Sequence, residues 1–195
     1  MEVKEMILET AFESFLESGI DGVSLNTIIK RTGLTKGAFY YHFKDKNELI
    51  EEIVSRYFYG SLDSHYEILD NEANSFYEKI MTIVDTFFDL DEFGIVNDYD
   101  KLKSYQMLLI NMLMKNESLR KKNTERLSKV RKELLKAVVN SQLEGALSEK
   151  IDVEKFVDVI MSTVLGSINQ WLLTDHVDLK PLLRNNVDAV FKLIV

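Results

Sequence analysis

Along most of the chain, apolar residues recur every three or four positions, the period of a helix with one buried face. Val3, Ile7, Ala11, Phe12, Phe15 and Leu16 form the first such stripe, and Ser18-Gly19 predicts its end. Two short stripes follow. Ser24 precedes Leu25, Ile28 and Ile29, so it can cap a second helix that stops at Gly33, a residue able to take a left-handed backbone. Thr35 is placed to cap a third, carrying Ala38, Phe39, Tyr40 and Phe43, and Asp45 with Glu48 predicts a capping box for a fourth.

Beyond Asp45 the helical spacing persists. Leu49, Ile53, Val54 and Tyr57/Phe58 extend the fourth helix towards Leu69, Asp70 to Asn74 reads as a break, and Phe76, Ile80, Ile83, Val84 and Phe87 mark a fifth. The stretch Asp89–Asp100, with Gly94 and Asn97 among acids, predicts an irregular connection. A sixth helix is expected from about Lys101 to Lys115, and a strongly charged amphipathic seventh from about Glu117 to Leu147. Asp152 can cap an eighth, whose apolar band from Val153 to Leu172 is wider than one buried face requires, so its second face needs a partner. Pro181 falls in the first turn of the ninth, where a missing amide hydrogen costs little. No strand is expected. The pattern predicts an all-α fold of about nine helices, with an N-terminal three-helix head at residues 1–47 and a larger helical body at residues 48–195.

Composition narrows the function. The 195 residues are 46% hydrophobic and 29% charged, which suits a folded globular chain. The absence of cysteine excludes disulfides, thiolate zinc sites and a cysteine nucleophile, and fits a reducing compartment. The acidic start, Met1-Glu2-Val3-Lys4-Glu5, does not read as a secretion signal, and the most apolar run, Met107–Met114, is well short of the roughly 18 residues of a membrane span. A cytoplasmic protein without membrane association is expected. A net charge of -8 argues against a nucleic-acid partner, but the charge is unevenly spread. Ser24 to Lys44 contains no acid and holds Lys30, Arg31, Lys36 and Lys44, a basic island in an acidic chain.

That island coincides with the two short helices. A capped helix, a glycine turn and a second capped helix between Ser24 and Phe43, with Lys36, Tyr40, Tyr41 and His42 at outward positions, suit the major groove of DNA, which admits one helix. Gly37 lets the backbone approach closely. Other chemistry is absent from the pattern: His42, His65 and His176 lack metal-ligand spacing, and no nucleophile elbow, phosphate loop or dinucleotide fingerprint occurs. No catalytic residue, metal or cofactor is expected. The basic run from Arg120 to Lys136 is interleaved with Glu125 and Glu133 and predicts an exposed, ion-paired helix face.

The string Ser24-Leu25-Asn26-Thr27-Ile28-Ile29-Lys30-Arg31-Thr32-Gly33-Leu34-Thr35-Lys36-Gly37-Ala38-Phe39-Tyr40-Tyr41-His42-Phe43, with Lys44-Asp45-Lys46-Asn47-Glu48-Leu49 after it, resembles the DNA-binding domain of the TetR family of bacterial regulators. The resemblance covers roughly the first fifty residues; Ile29 stands where many members carry alanine. It implies that Thr35, Lys36 and Gly37 meet DNA at the start of the recognition helix, with Ala38 between groove and core. Tyr40, Tyr41 and His42 would contact phosphates or base edges, Thr27 and Lys46 would clamp the backbone, and Phe39 and Phe43 would be core. It further implies an effector pocket among helices four to seven, for which Phe58, Leu62, Tyr66, Tyr77, Phe87, Tyr105, Met112 and Trp171 are the candidates. The last two helices would pair with those of a second copy, the expected interface being Phe156, Ile160, Val164, Ile168, Leu183, Val187, Val190 and Phe191. The implied function is a homodimeric repressor released from palindromic, double-stranded operator DNA by a small, largely apolar or aromatic effector, with helix four as the lever. The alternative is a helical small-molecule-binding protein whose head no longer acts on DNA.

Overall fold

Ten α-helices and no strand occupy the residues that the computed structural model describes, 2–59, 62–71, 73–86 and 99–194. They are α1 (Val3–Gly22), α2 (Leu25–Thr32), α3 (Lys36–His42), α4 (Lys46–Ile53), α5 (Leu62–Asp70), α6 (Phe76–Thr86), α7 (Tyr99–Lys115), α8 (Glu117–Leu143), α9 (Val153–Leu173) and α10 (Leu179–Ile194). The all-α reading holds, and most boundaries lie where local signals put them. Gly19, at φ 68° and ψ 167°, interrupts the helical backbone of α1 at the expected stop. The Asp152 side chain accepts the Lys155 N–H to cap α9.

Two boundaries differ. The fourth helix does not continue to Leu69: α4 widens into a π-helical turn, Val54–Phe58, and α5 begins anew at Leu62. The wider turn accommodates an extra residue per turn, so that Ile53, Val54 and Tyr57 are all buried. The second difference is the end of α8, at Leu143 rather than Leu147. Gly145 adopts φ 74° there, and the amides of Ala146 and Leu147 both turn back to the Ser141 carbonyl. A glycine C-cap ends this helix, and Leu147 folds back into the core. The irregular connection expected at 89–100 lies outside the described residues up to 98.

The chain forms two compact units, and the boundary expected after residue 47 falls inside the first. Unit one comprises residues 2–59 and 99–124, because α1 packs on α7 as well as on α2 and α4. Ile7, Phe15, Ile28, Phe39, Phe43 and Leu49 fill its core. An aromatic cluster joins them: Phe12 stacks on Tyr57 at 4.2 Å, and Phe58 on Tyr105 at 4.2 Å.

Unit two comprises residues 62–71, 73–86 and 125–194, with α10 packed against α9 and α6. Its core corrects the expected interface. Phe156, Ile160, Leu183, Val187 and Phe191 are each at most 5% exposed within one chain, so they have no area left to offer a second copy. Phe191 packs against Phe76, Tyr77 and Phe156. Val164, Ile168 and Val190 are half-buried. The outward side of α9 mixes Val159, Leu165 and Leu173 with Glu154, Asp158, Asn169 and Gln170, and the larger side chains serve the internal one.

Candidate functional site

Each short helix of the head is held by its own cap. Ser24 Oγ accepts the Thr27 N–H at 3.1 Å, and α2 ends at Gly33, whose φ of 69° lies in the left-handed region. Thr35 Oγ1 accepts the Ala38 N–H at 3.2 Å to start α3. The next cap is a box shifted by one residue: Asp45 Oδ1 accepts the Glu48 N–H, while Glu48 Oε2 accepts from Lys44 rather than from Asp45. Caps of this kind are each worth about 1 kcal/mol, which matters for helices of two turns that packing alone holds poorly.

Packing then fixes which side of α3 faces out. Phe39 is fully buried and Phe43 nearly so, and their side chains set the rotation of the helix. The opposite positions emerge: Tyr41 is 84% exposed and Tyr40 50%. His42 is half-buried, edge-on to the Tyr41 ring. Thr27, Thr35, Lys36 and Gly37 are exposed and Ala38 is half-buried. Gly37 has no internal reason to be glycine, since a Cβ there would meet only Thr35 Oγ1, at 4.0 Å.

The cations divide. Lys30, Lys36 and Lys44 are exposed, but Arg31 turns to α1, donating to Ser14 Oγ and Glu17 Oε2, both at 2.9 Å. The ammonium of Lys46, expected to clamp the DNA backbone, donates here to the Ile20 and Val23 carbonyls.

Unit two contains a cavity of about 140 Å3. Aliphatic side chains dominate its walls, including Leu69 of α5, Ile80 and Val84 of α6, Val130 and Leu134 of α8, Ile160 and Val164 of α9 and Leu183 of α10. The polar residues among them are His65, Tyr66 and Arg126. Burial pushes the His65 imidazole below its usual value, so the neutral ring is favoured at pH 7. Lys129 lies over the Tyr66 ring, 4.2 Å from its centre.

Of the expected pocket residues, Tyr66 alone among the described side chains lines this cavity. Phe58 and Tyr105 belong to the aromatic cluster of unit one, where the Tyr105 hydroxyl donates to the Tyr57 carbonyl. Met112 and Trp171 are core, at 1% and 0% exposure. Tyr77 donates to Asp188 at 2.8 Å on the surface. The side chains of Leu62 and Phe87 lie outside what is described. Among the described residues no group of three or more histidines or carboxylates comes together to hold a metal.

The family model for bacterial regulatory proteins of the tetR family matches residues 7–53, which span α1 to the end of α4. Beyond the head, the chain is 27% identical over 194 residues to the probable HTH-type transcriptional regulator ArpR of Pseudomonas putida, covering 91% of this chain and 84% of that protein. Residues 7–53 are thus similar to the DNA-binding head of the TetR family. The HTH-type transcriptional regulator AcrR of Shigella flexneri is 40% identical over 68 residues, 34% of this chain and only 32% of the relative's length. Likeness therefore concentrates in the TetR-like head. The fold extends further: the structure of SmeT, the repressor of the Stenotrophomonas maltophilia multidrug efflux pump SmeDEF, superposes with a TM-score of 0.76 at 20% identity, over 99% of this chain and 90% of that one. These TetR relatives are transcriptional regulators, not enzymes. α9 is long and apolar enough by composition to cross a membrane, yet Phe156, Val157, Ile160, Ser167 and Trp171 place one side of it in a protein core.

Proposed function

We propose that this protein is a member of the TetR family, a homodimeric repressor that reads double-stranded operator DNA with α3 and is released by a compact, apolar effector bound in the cavity of unit two. The observation that carries the reading is the exposed edge of α3, where Lys36, Gly37, Tyr40 and Tyr41 stand outward in an acid-free stretch, Tyr40 with one edge against Phe39. Cations and phenols there suit phosphates and base edges, and the uncovered backbone at Gly37 suits close approach to the groove. Thr27, Thr35, Ala38 and His42 complete the DNA face.

The effector class follows from the cavity. A space of about 140 Å3 is near that of an engineered apolar cavity that takes up benzene, so a single-ring molecule fits it better than a long chain. The neutral His65 and the Tyr66 hydroxyl supply hydrogen bonds for one polar group on such a ligand. The second copy is proposed to cover Val159, Leu173, Ala189 and Leu193, exposed positions of α9 and α10. Two heads so joined read half-sites about 34–36 Å apart.

The test is selection of a duplex from a random-sequence pool by the wild-type protein. Lys36→Ala and Tyr41→Ala are each expected to weaken the selected complex about 10- to 100-fold, and affinity should fall with salt at a slope near -0.9 for each phosphate neutralised. Single-ring aromatic probes should then release the duplex. Selection of no duplex, together with retention of such probes, would favour a ligand-binding protein with a silent head.

A further inference from the structure

Lys46 opens α4, and its sequence position just after the recognition helix suggests a hand on the DNA backbone. Its surroundings are internal. The ammonium donates to the carbonyl oxygen of Ile20, at 2.5 Å, and to that of Val23, at 2.6 Å. It also lies 5.5 Å from the centre of the Phe15 ring. Ile20 belongs to the last turn of α1, beyond the break at Gly19, and Val23 immediately precedes Ser24, the cap of α2. Carbonyls at the end of a helix lack an amide partner and carry negative partial charge, so a cation is the natural group to satisfy them. Burial pushes the Lys46 ammonium down from its usual value, while Asp21, itself paired with Lys115, pulls the other way. Lys46 is half-buried, with its ammonium turned inward to these carbonyls.

We infer that Lys46 is a positioning residue for DNA binding: from the start of α4 it ties down the α1–α2 turn, and so sets where Ser24, Asn26 and Thr27 are presented, without touching a phosphate itself. The inference rests on the DNA-binding reading. It separates two roles that the sequence position alone confuses. A clamp contributes a released counterion on binding, whereas a positioning residue contributes geometry, and salt tells them apart.

Lys46→Met keeps an apolar stem beside Phe15 and removes the donors. Measured on a duplex selected by the wild type, it is expected to weaken binding about tenfold or more, the range for losing hydrogen bonds to a charged group. The slope of log affinity against log salt should stay at the wild-type value, whereas Lys36→Met should make it shallower by about 0.9 for each phosphate that the lysine had neutralised. A slope reduced as for Lys36→Met overturns the inference, and so does an unchanged affinity accompanied only by a lower Tm. Should Lys46→Met fail to fold, amine acylation of the wild-type protein decides the same point. Lys46 is expected to react slowly with and without DNA, while Lys36 reacts rapidly and is protected by DNA. Rapid labelling of Lys46 in the free protein overturns the proposal. A wild-type protein that selects no duplex removes the DNA-binding reading and this role with it; selection by the wild type with a clamp-like slope change at Lys46 removes this role alone.

Discussion

Two surfaces of this chain expose large side chains, and they differ in kind. On α3, Tyr40 and Tyr41 stand out at 50% and 84% exposure among Lys36 and Gly37; on α9 and α10, Leu173 and Leu193 stand out at 85% and 86%. Beneath each surface the same helices hold fully buried partners, Phe39 in the first case and Trp171 and Val187 in the second. The inner half of each helix thus packs in the core and the outer half is exposed. Hydroxyl-bearing rings beside cations suit a wet, phosphate-lined surface, whereas bare aliphatic groups suit a dry contact with another protein surface. In the proposed reading, the chemistry of the exposed half, not its extent, distinguishes a nucleic-acid face from a subunit face.

The strongest attempt to break this comparison removes the aliphatic surface. Leu173→Glu with Leu193→Glu should leave each chain folded, because both positions are almost wholly exposed, and should convert the dimer to a monomer in sedimentation. DNA affinity should then fall by about 10²- to 10⁴-fold, since the second head no longer binds as a tethered partner. A doubly substituted protein that remains dimeric would show that α9 and α10 offer no subunit face.

The same contrast explains what the sequence made legible. The caps at Ser24, Thr35 and Asp152 and the stops at Gly19 and Gly33 are local signals, set by a side chain and an amide a few residues away, and they fall where expected. The outward set on α3 is legible for the same reason, because Phe39 and Phe43 leave only one way to turn a two-turn helix. Side chains whose partners are distant in the chain are another matter. Phe58 and Tyr105 have the composition of pocket residues, but they stack on one another 47 positions apart, and nothing local marks that pairing. The cavity walls, such as Val130, Leu134 and Val164, are ordinary core aliphatics distinguished only by the space between them. On α9 apolar residues occur on both sides, and hydrophobicity favoured Phe156 and Ile160, the internal side, over Val159 and Leu173. The internal partners of Lys46 are hidden for a related reason, since its carbonyl acceptors lie 23 and 26 residues back.

A smaller effect sharpens the reading of the α3 surface. Gly37→Ala introduces a methyl group into open space on a helix, so the free protein should gain about 0.5–1 kcal/mol of stability from the better helix former. DNA affinity should fall nonetheless, because the methyl group occupies the place of closest approach. Thermal melts and binding isotherms of the same sample check the two directions. A variant that is both more stable and equally tight on DNA would mean that the groove does not reach Gly37.

The smallest effect concerns the cavity, and it tests whether that part of the molecule carries a titrating group where the α3 surface relies on fixed charge. His65 is buried, and desolvation lowers its pKa from the usual 6.5. Between the lowered folded value and about 6.5, the unfolded chain therefore binds more protons at this site than the folded one, and stability rises with pH across that window. The contribution of the neutral ring is fully present above the unfolded value. It is lost progressively as pH falls towards the folded one, where protonating the buried imidazole disfavours the folded state. Urea midpoints at about pH 7.5 and about pH 5.5 should consequently differ more for the wild type than for His65→Gln, which removes the titration but keeps a polar side chain in the cavity. Equal differences in the two proteins would mean that the imidazole already has solvent or a charged partner in the cavity. A cavity of that character would suit a more polar effector than the single-ring molecule its aliphatic walls favour.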